Sequence, residues 1–138
     1  MFNARFYIFI SAFSGALSIT LGAFGAHGLK KIVSPTMLTT FQTGVQYQFI
    51  HSLALLALGL FLLMPVTKAV AKLLKWSANL MIVGIILFSG SLYTMTFMSV
   101  SGGFPTWLGP ITPIGGLTFI MGWIFLMVAA LKLPKDEQ

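Results

Sequence analysis

Four long apolar runs, each bounded by charged residues, limit what this chain can fold into more than any other feature. The runs cover residues 6–26, 44–63, 76–100 and 111–131. Each has about the 20 residues that an α-helix needs to cross a bilayer. Only 7% of the residues are charged, too few for the surface of a domain in water. The sequence therefore predicts an all-α fold, an integral membrane four-helix bundle that forms a single transmembrane domain over residues 1–138.

The charged side chains avoid the middle of every run. They flank the runs, at Arg5, Lys30, Lys31, Lys68, Lys72, Lys75, Lys132, Lys135, Asp136 and Glu137. An ion near the centre of a bilayer is costly, whereas lysine at a helix end is an ordinary membrane anchor. The formal charge of +6 is therefore explained by anchoring to the lipid bilayer, which is the expected partner. No nucleic-acid partner is expected.

The distribution of the cations predicts the orientation of the chain. With four spans, both termini and the central loop share one side, and the other side carries only Lys30 and Lys31 of the eight Lys and Arg residues. Because cations near span ends concentrate on the cytoplasmic side, we expect both termini in the cytoplasm and the protein in the cell membrane. The loop SGGFPTWLGP is then external, with Trp107 near the interface.

An alternative treats the first run as a cleaved signal peptide. Arg5 would be its basic region, and Ala23-Phe24-Gly25 would be a small-x-small cleavage site. An apolar run of this length can also simply anchor the chain, as the prediction of four spans requires. Whether the first span is cleaved stays open from the sequence alone.

Small residues share one face of the first run. At 100° per residue, that face holds Ser11, Ser14, Gly15, Ser18, Gly22 and Gly25, and the other holds Phe6, Phe9, Phe13 and Leu17. Weaker stripes at seven-residue spacing occur at Ser77, Gly84 and Ser91 and at Gly115, Gly122 and Ala129. Because membrane helices associate where small residues let backbones approach, these faces are predicted to pack on other helices, and the phenylalanines to face lipid.

The second run begins with a helix start signal. Ser34 can cap the helix, and Pro35 suits the first helical position. A helix from Pro35 to Leu63 would be about 43 Å long, which exceeds the hydrocarbon core of about 30 Å. Its first turns are expected to project past the membrane boundary or bend along it.

The same run carries most of the polar residues inside the spans. Gly44, Tyr47, Gln48 and His51 share one face, and Gln42 and Gln46 lie on roughly the opposite face. One interpretation is that this polar face makes hydrogen bonds to other helices. The other is a binding or proton-handling site, because ionisable residues inside a membrane are candidates for function. These glutamines, Tyr47 and His51, with His27 after the first run, are the candidate ligand or polar-network residues.

A metal site, a cofactor and a catalytic centre are not expected. His27 and His51 have no carboxylate or thiolate on their side of the membrane to complete a metal site. The chain has no cysteine, no carboxylate in any run and no Gly-x-Ser-x-Gly turn, so the usual hydrolase groups are missing. Leu29 separates Gly28 from Lys30, which a phosphate-binding loop does not allow. Asn79 is expected to make a helix-end hydrogen bond.

Three segments together resemble a known family. LGAFGAHGLKK, TGVQYQFIHSLALL and GPITPIGGLTFIMGW are similar, in this order, to the signature blocks of the small membrane proteins grouped as domain-of-unknown-function 423. The animal relative of that family is called transmembrane protein 256. The resemblance extends over nearly the whole chain and maps onto His27, Tyr47, Gln48, His51, Pro113, Gly115 and Gly116. It implies an integral plasma-membrane protein of bacterial type, without an established activity.

Two functions follow as hypotheses. The first is a non-enzymatic membrane component that works by helix-mediated assembly with itself or with another membrane protein. The second is a small transporter or ligand-binding protein that uses the face with Tyr47, Gln48 and His51, to which His27 could contribute. In the second case, the prolines and glycines of GPITPIGG would break or re-aim the fourth helix beside that face.

Overall fold

The structure of the chain is a computed structural model that describes residues 3–133. Within these residues the chain forms α1 (Ala4–His27), α2 (Pro35–Phe61), α3 (Lys68–Gly84), α4 (Gly90–Ser99) and α5 (Ile111–Leu131). A π-helical turn, Ile85–Ser89, joins α3 to α4. Four helical stretches in the described part are long and apolar enough to cross a membrane, and α3, the π turn and α4 together form the third span. The predicted all-α membrane bundle is confirmed.

Three helices begin with a side-chain cap. The Asn3 side chain accepts a hydrogen bond from the backbone N–H of Phe6 at the start of α1. Ser34 accepts from Met37 at the start of α2, where Pro35 occupies the first helical position as the sequence predicts. These caps satisfy donors that have no partner inside the helix. At 27 residues, α2 is about 40 Å long, so it projects past the hydrocarbon core.

The third span starts earlier than predicted, at Lys68 rather than at residue 76. Thr67 caps this start, where its side chain accepts a hydrogen bond from Val70. Val70 and Leu74 are buried in the core, whereas Lys68 and Lys72 are exposed. The first two turns of α3 are therefore an amphipathic extension, which a search for uniformly apolar residues does not include. Lys135, Asp136 and Glu137 lie outside the described residues.

The helices pack in two antiparallel pairs, α1 with α2 and α3 with α5, and α4 packs mainly on α2. The main core lies between the pairs and contains Tyr7, Leu55, Leu58, Val70, Leu74, Ala78, Met81, Phe119 and Ala129. The small-residue face of α1 lies against α2: a Cβ built on Gly22 would contact Val45, and one on Gly25 would contact Phe41. Ser14 and Ser18 on the same face are buried.

The opposite face of α1 is largely exposed. Phe9 and Phe13 are 68% and 60% exposed, as expected for side chains that face lipid. The prediction for Phe6 was wrong, because Phe6 is half-buried and packs against the main core. Its ring meets Tyr7 edge to face, with centroids 5.8 Å apart. The first turn of α1 thus packs against a core that also contains residues of α3 and α5. A helical wheel of α1 alone does not indicate this contact.

Candidate functional site

Gln48 links three helices, α1, α2 and α4, through its side chain. Its side-chain amide donates to the Ser14 carbonyl of α1 at 2.9 Å, and its amide oxygen accepts from the Tyr93 hydroxyl of α4 at 2.8 Å. Gln48 is 3% exposed. An unpaired amide at this position would cost about 1–3 kcal/mol. The two hydrogen bonds satisfy the side chain while they hold α1 and α4 on α2.

Other polar side chains in the spans also bond between helices. Ser52 donates to the Ser14 hydroxyl at 2.8 Å, and Ser77 donates to the Gly122 carbonyl at 2.7 Å. The Tyr7 hydroxyl donates to the Asn79 side chain at 2.9 Å. Asn79 therefore bonds from α3 to a residue of α1, whereas the sequence led us to expect a hydrogen bond at a helix end. Such bonds contribute about 0.6 kcal/mol each in membrane bundles.

The sequence did not single out Tyr7 and Tyr93, although both hydroxyls donate to an amide oxygen. Each tyrosine lies in an apolar run and resembles a lipid-facing aromatic residue when the sequence alone is considered. A usable signal exists for both: a span that contains one amide side chain needs a donor on a neighbouring helix. That rule identifies the type of partner but not its helix.

His51 is buried and both of its ring nitrogens have partners. Nδ1 lies 2.7 Å from the Tyr47 carbonyl, and Nε2 lies 3.3 Å from the Trp123 indole nitrogen of α5. A carbonyl can only accept and an indole N–H can only donate. The two contacts together therefore require a neutral imidazole that carries its proton on Nδ1.

Aromatic rings surround this imidazole. The Phe119 ring of α5 stacks on it with centroids 3.5 Å apart and an interplanar angle of 12°. Tyr47 stacks at 5.9 Å, and Trp123 approaches edge-on at 6.2 Å. Phe88 of the π turn packs on Tyr47 with centroids 4.5 Å apart. Four aromatic side chains from three elements thus form one cluster around His51.

A cavity of about 410 Å³ lies beside this cluster, and we call it the His51 pocket. It is lined by Tyr47, Ile50, His51, Phe88, Gly116, Phe119, Ile120 and Trp123. Tyr47, Ile120 and Trp123 are 40%, 55% and 45% exposed, so the pocket opens on the outer surface of the bundle. Because these residues lie on helices long and apolar enough to cross a membrane, we expect that surface to face hydrocarbon.

His27 does not belong to this cluster. It ends α1, is exposed, and its Nδ1 lies 3.0 Å from the Ala23 carbonyl. Because α1 and α2 are antiparallel, His51 lies near the level of Ser14, about 20 Å from His27 along the helix axis. The structure therefore places His27 as a helix-end residue. No group of three metal-ligating side chains occurs among residues 3–133.

Gln42 and Gln46 are exposed on the far side of α2 from the His51 pocket. They line a second cavity of about 330 Å³ along the seam between α1 and α2, which we call the glutamine groove. It is lined by Ser18, Ile19, Gly22, Ala23, Gln42, Val45, Gln46 and Phe49. Neither amide has a side-chain hydrogen bond to any other residue that the structure describes.

The fourth span is one uninterrupted helix. The transporter hypothesis allowed a break or a change of direction at GPITPIGG, and the structure has none after Pro110, since α5 runs from Ile111 to Leu131. Pro113 lies in its first turn, where backbone N–H groups lack helical acceptors, so the ring displaces no hydrogen bond. Gly115 is buried, and a Cβ built on it would stand 2.7 Å from the Phe88 Cα. The glycine therefore serves close packing of α5 on the π turn.

Comparison with known proteins agrees with this architecture. Residues 21–116 match the model of a protein family of unknown function, DUF423. The chain belongs to the DUF423 family. Its match includes His27, the second span, the π turn and Gly116 of the His51 pocket. No solved structure matches the chain.

Relatives of this DUF423 protein are membrane proteins. It is 39% identical to the UPF0382 membrane protein YwdK of Bacillus subtilis, over 93% of this chain and 98% of the relative. It is 34% identical to the UPF0382 inner membrane protein YgdD of Escherichia coli K12, over 96% of this chain and 95% of the relative. The identity is 37% for a UPF0382 membrane protein of Staphylococcus aureus, over 93% of this chain and 97% of the relative. This DUF423 protein is therefore a multi-pass protein of the lipid bilayer, in a family of unknown molecular function.

Proposed function

We propose that this DUF423 protein is a non-enzymatic component of the cytoplasmic membrane that acts by helix-mediated assembly, with a second copy of itself at the glutamine groove. The supporting observation is the pair Gln42 and Gln46, whose amides face outward without a hydrogen-bond partner among the described residues. The polar side chains inside the bundle support the proposal that the protein is not an enzyme. Gln48 and His51 are engaged in bonds between helices.

The depth of the two glutamines supports a partner in the membrane. The apolar run of α2 begins at residue 44. At 1.5 Å per residue, Gln46 lies about 3 Å inside this boundary and Gln42 about 3 Å outside it. Gln46 therefore lies in hydrocarbon, where an unpaired amide costs about 2 kcal/mol or more, and Gln42 lies at its edge.

A second copy of the same chain fits these amides. Two copies with the same orientation are related by a two-fold axis along the membrane normal, so identical residues meet at identical depth. An amide side chain both donates and accepts, and Gln42 and Gln46 can each bond the same residue of the other copy. In the groove, Ala23 is exposed and Gly22 is half-buried, and these small residues allow a close approach.

Single-cysteine crosslinking tests self-assembly, because the chain has no cysteine of its own. Phe49→Cys places a thiol at the edge of the groove, on a side chain that is 40% exposed. We expect mild oxidation in native membranes to give a covalent dimer. Adding Gln42→Leu and Gln46→Leu to this variant should reduce the dimer several-fold, since the amide pairs are lost.

Leu117→Cys is the matched control, because Leu117 is 61% exposed on α5 and lies outside the groove. It should stay monomeric under the same oxidation. Equal crosslinking of the two cysteine variants would contradict an interface at the groove. If the mass of the Phe49→Cys adduct identifies a different membrane protein, the groove binds that protein and not a second copy of this chain.

The orientation belongs to the same proposal. Arg5, Lys68, Lys72, Lys75 and Lys132 lie at one end of the bundle, and Lys30 and Lys31 lie at the other. Cations near span ends concentrate on the cytoplasmic side. This distribution supports both termini in the cytoplasm.

A further inference from the structure

The His51 pocket has no part in assembly at the glutamine groove, since it lies on the opposite side of α2. It opens toward lipid, and its side chains come from α2, the π turn and α5. Its volume of about 410 Å³ falls in the usual range for small-molecule sites, about 300–1,000 Å³. The chemistry of its walls indicates which class of molecule it suits.

The pocket suits an uncharged ligand. His51 lies seven residues inside the apolar run that begins at residue 44, and Trp123 lies two residues from the middle of α5. At 1.5 Å per residue, His51 is about 10 Å below the membrane boundary and Trp123 about 3 Å from the middle of its span, so both lie in the hydrocarbon. None of the lining residues is charged, and the imidazole is neutral in its bonded form. An ionised ligand would have no counter-charge at this depth.

The walls favour a planar, electron-poor ring over an alkyl chain. Tyr47 and Trp123 expose parts of their rings at the mouth of the pocket. Aromatic faces carry negative charge density, so they attract the positive face of an electron-poor ring. The flat stack of Phe119 on His51 forms the inner wall.

One polar group remains available to a ligand. Both His51 nitrogens are engaged, and the Trp123 N–H donates to His51. The Tyr47 hydroxyl has no hydrogen-bond partner among the described residues, and Tyr47 lines the pocket. A phenol hydroxyl at this depth favours an acceptor such as a carbonyl oxygen.

We propose that the His51 pocket binds the ring of a lipid-soluble quinone, with one quinone carbonyl accepting a hydrogen bond from Tyr47 and the ring lying against Tyr47 and Trp123. The alkyl or isoprenoid tail extends into the surrounding lipid. A contrasting cavity of about 370 Å³ near Phe61 and Leu126 is lined mainly by aliphatic side chains. It lacks a free hydroxyl and suits an acyl chain instead.

Tryptophan fluorescence in phosphatidylcholine nanodiscs tests this proposal, because quinones quench tryptophan at short range. The three tryptophans are Trp76, Trp107 and Trp123. The Trp76→Phe, Trp107→Phe variant reports from Trp123 alone, and the Trp107→Phe, Trp123→Phe variant reports background quenching at Trp76. A benzoquinone with a ten-carbon alkyl tail is the probe. We expect saturable quenching of Trp123 and only a linear, collisional loss at Trp76.

Three variants of the Trp123 reporter sharpen the test. Tyr47→Phe should weaken binding about three- to tenfold by removing one hydrogen bond. Gly116→Leu should abolish saturation by filling the pocket, since a Cβ at Gly116 would stand 3.8 Å from the Phe88 ring and leaves room for folding. Gly90→Leu is the matched control, because a Cβ there meets nothing within 4 Å and Gly90 lies outside the pocket.

Linear quenching of both tryptophans would overturn the proposal, as would a folded Gly116→Leu variant that binds as tightly as the unsubstituted reporter. Competition completes the test. A ten-carbon alkylbenzene lacks carbonyl groups and should displace the quinone poorly. Equal displacement by this compound would contradict selectivity for quinones and show that the pocket accepts any apolar ring. None of these readouts depends on whether Phe49→Cys crosslinks.

Discussion

Gly115 of α5 lies against the backbone of Phe88, so that a Cβ built on Gly115 would stand 2.7 Å from the Phe88 Cα and 2.9 Å from the Leu87 carbonyl carbon. Backbone atoms cannot rotate away as a side chain can. The approach of α5 to the π turn therefore requires glycine at this position.

Gly115→Ala should lower the thermal stability of the protein in detergent by the equivalent of about 1–3 kcal/mol, because α5 must move away from the π turn. Gly116→Ala is the neighbouring control, since its Cβ would meet the Phe88 ring at an ordinary 3.8 Å. Similar melting temperatures for the two variants would contradict the close packing at Gly115.

Gly22→Leu should disrupt the α1–α2 pair, whereas Phe13→Leu should be mild. A Cβ on Gly22 would already contact Val45 at 3.5 Å, and the rest of a leucine has to displace α2. Phe13 is 60% exposed, and leucine is equally suited to lipid. The measurement is detergent melting, and equal shifts for both variants would refute the assignment of faces on α1.

Gln48→Leu should destabilise the bundle by about 1–3 kcal/mol, because the Ser14 carbonyl and the Tyr93 hydroxyl lose their partner. A double-mutant cycle with Tyr93→Phe isolates one bond. The coupling energy should be about 0.6 kcal/mol, as for other hydrogen bonds between membrane helices. Strict additivity of the two substitutions would show that the tyrosine and glutamine do not interact.

His51 should carry its proton on Nδ1, since Tyr47 accepts from that nitrogen and Trp123 donates to Nε2. Nitrogen-15 NMR of histidine-labelled protein in bilayers distinguishes the two neutral forms. Trp123→Phe should change the Nε2 resonance of His51 and leave that of His27 unchanged. An Nε2–H form of His51 in the unsubstituted protein would contradict this hydrogen-bond pattern.

Orientation can be measured with a thiol reagent that does not cross membranes. Pro65 and Ser101 are exposed in loops at opposite ends of the bundle. In intact cells we expect Ser101→Cys to react and Pro65→Cys to react only after lysis, as the distribution of cations predicts. The reverse pattern would place both termini outside.

The sequence predicts where the helices of this protein lie along the chain better than it predicts which helices contact each other. The helix start at Pro35 and the exposed ring of Phe13 follow from local patterns, since capping and hydropathy act within a few residues. The bonds from Tyr7 to Asn79 and from Tyr93 to Gln48 join residues far apart in sequence. Periodicity indicates which face is polar, but it does not say which helix that face meets.

The His51 pocket shows the same limit. The sequence places Tyr47 and His51 together on one face of α2, but Phe119 and Trp123 resemble lipid-facing residues of the most apolar helix. For His27 the reverse holds. A distinctive motif makes it a candidate in the sequence, but the antiparallel pairing of α1 and α2 separates it from His51. Proximity in the fold depends on tertiary packing, which no spacing rule contains.

The π turn makes the third span sensitive to length. A π turn accommodates one extra residue, so the side chains after it are rotated by about 100° relative to an unbroken α-helix. That rotation lets α3 pack on α5 while α4 packs on α2. Deleting one residue from Ile85–Ser89 would leave the hydropathy of the span almost unchanged, yet it would turn Tyr93 away from Gln48. This segment should therefore tolerate the exchange of one apolar residue for another far better than the loss of a single residue.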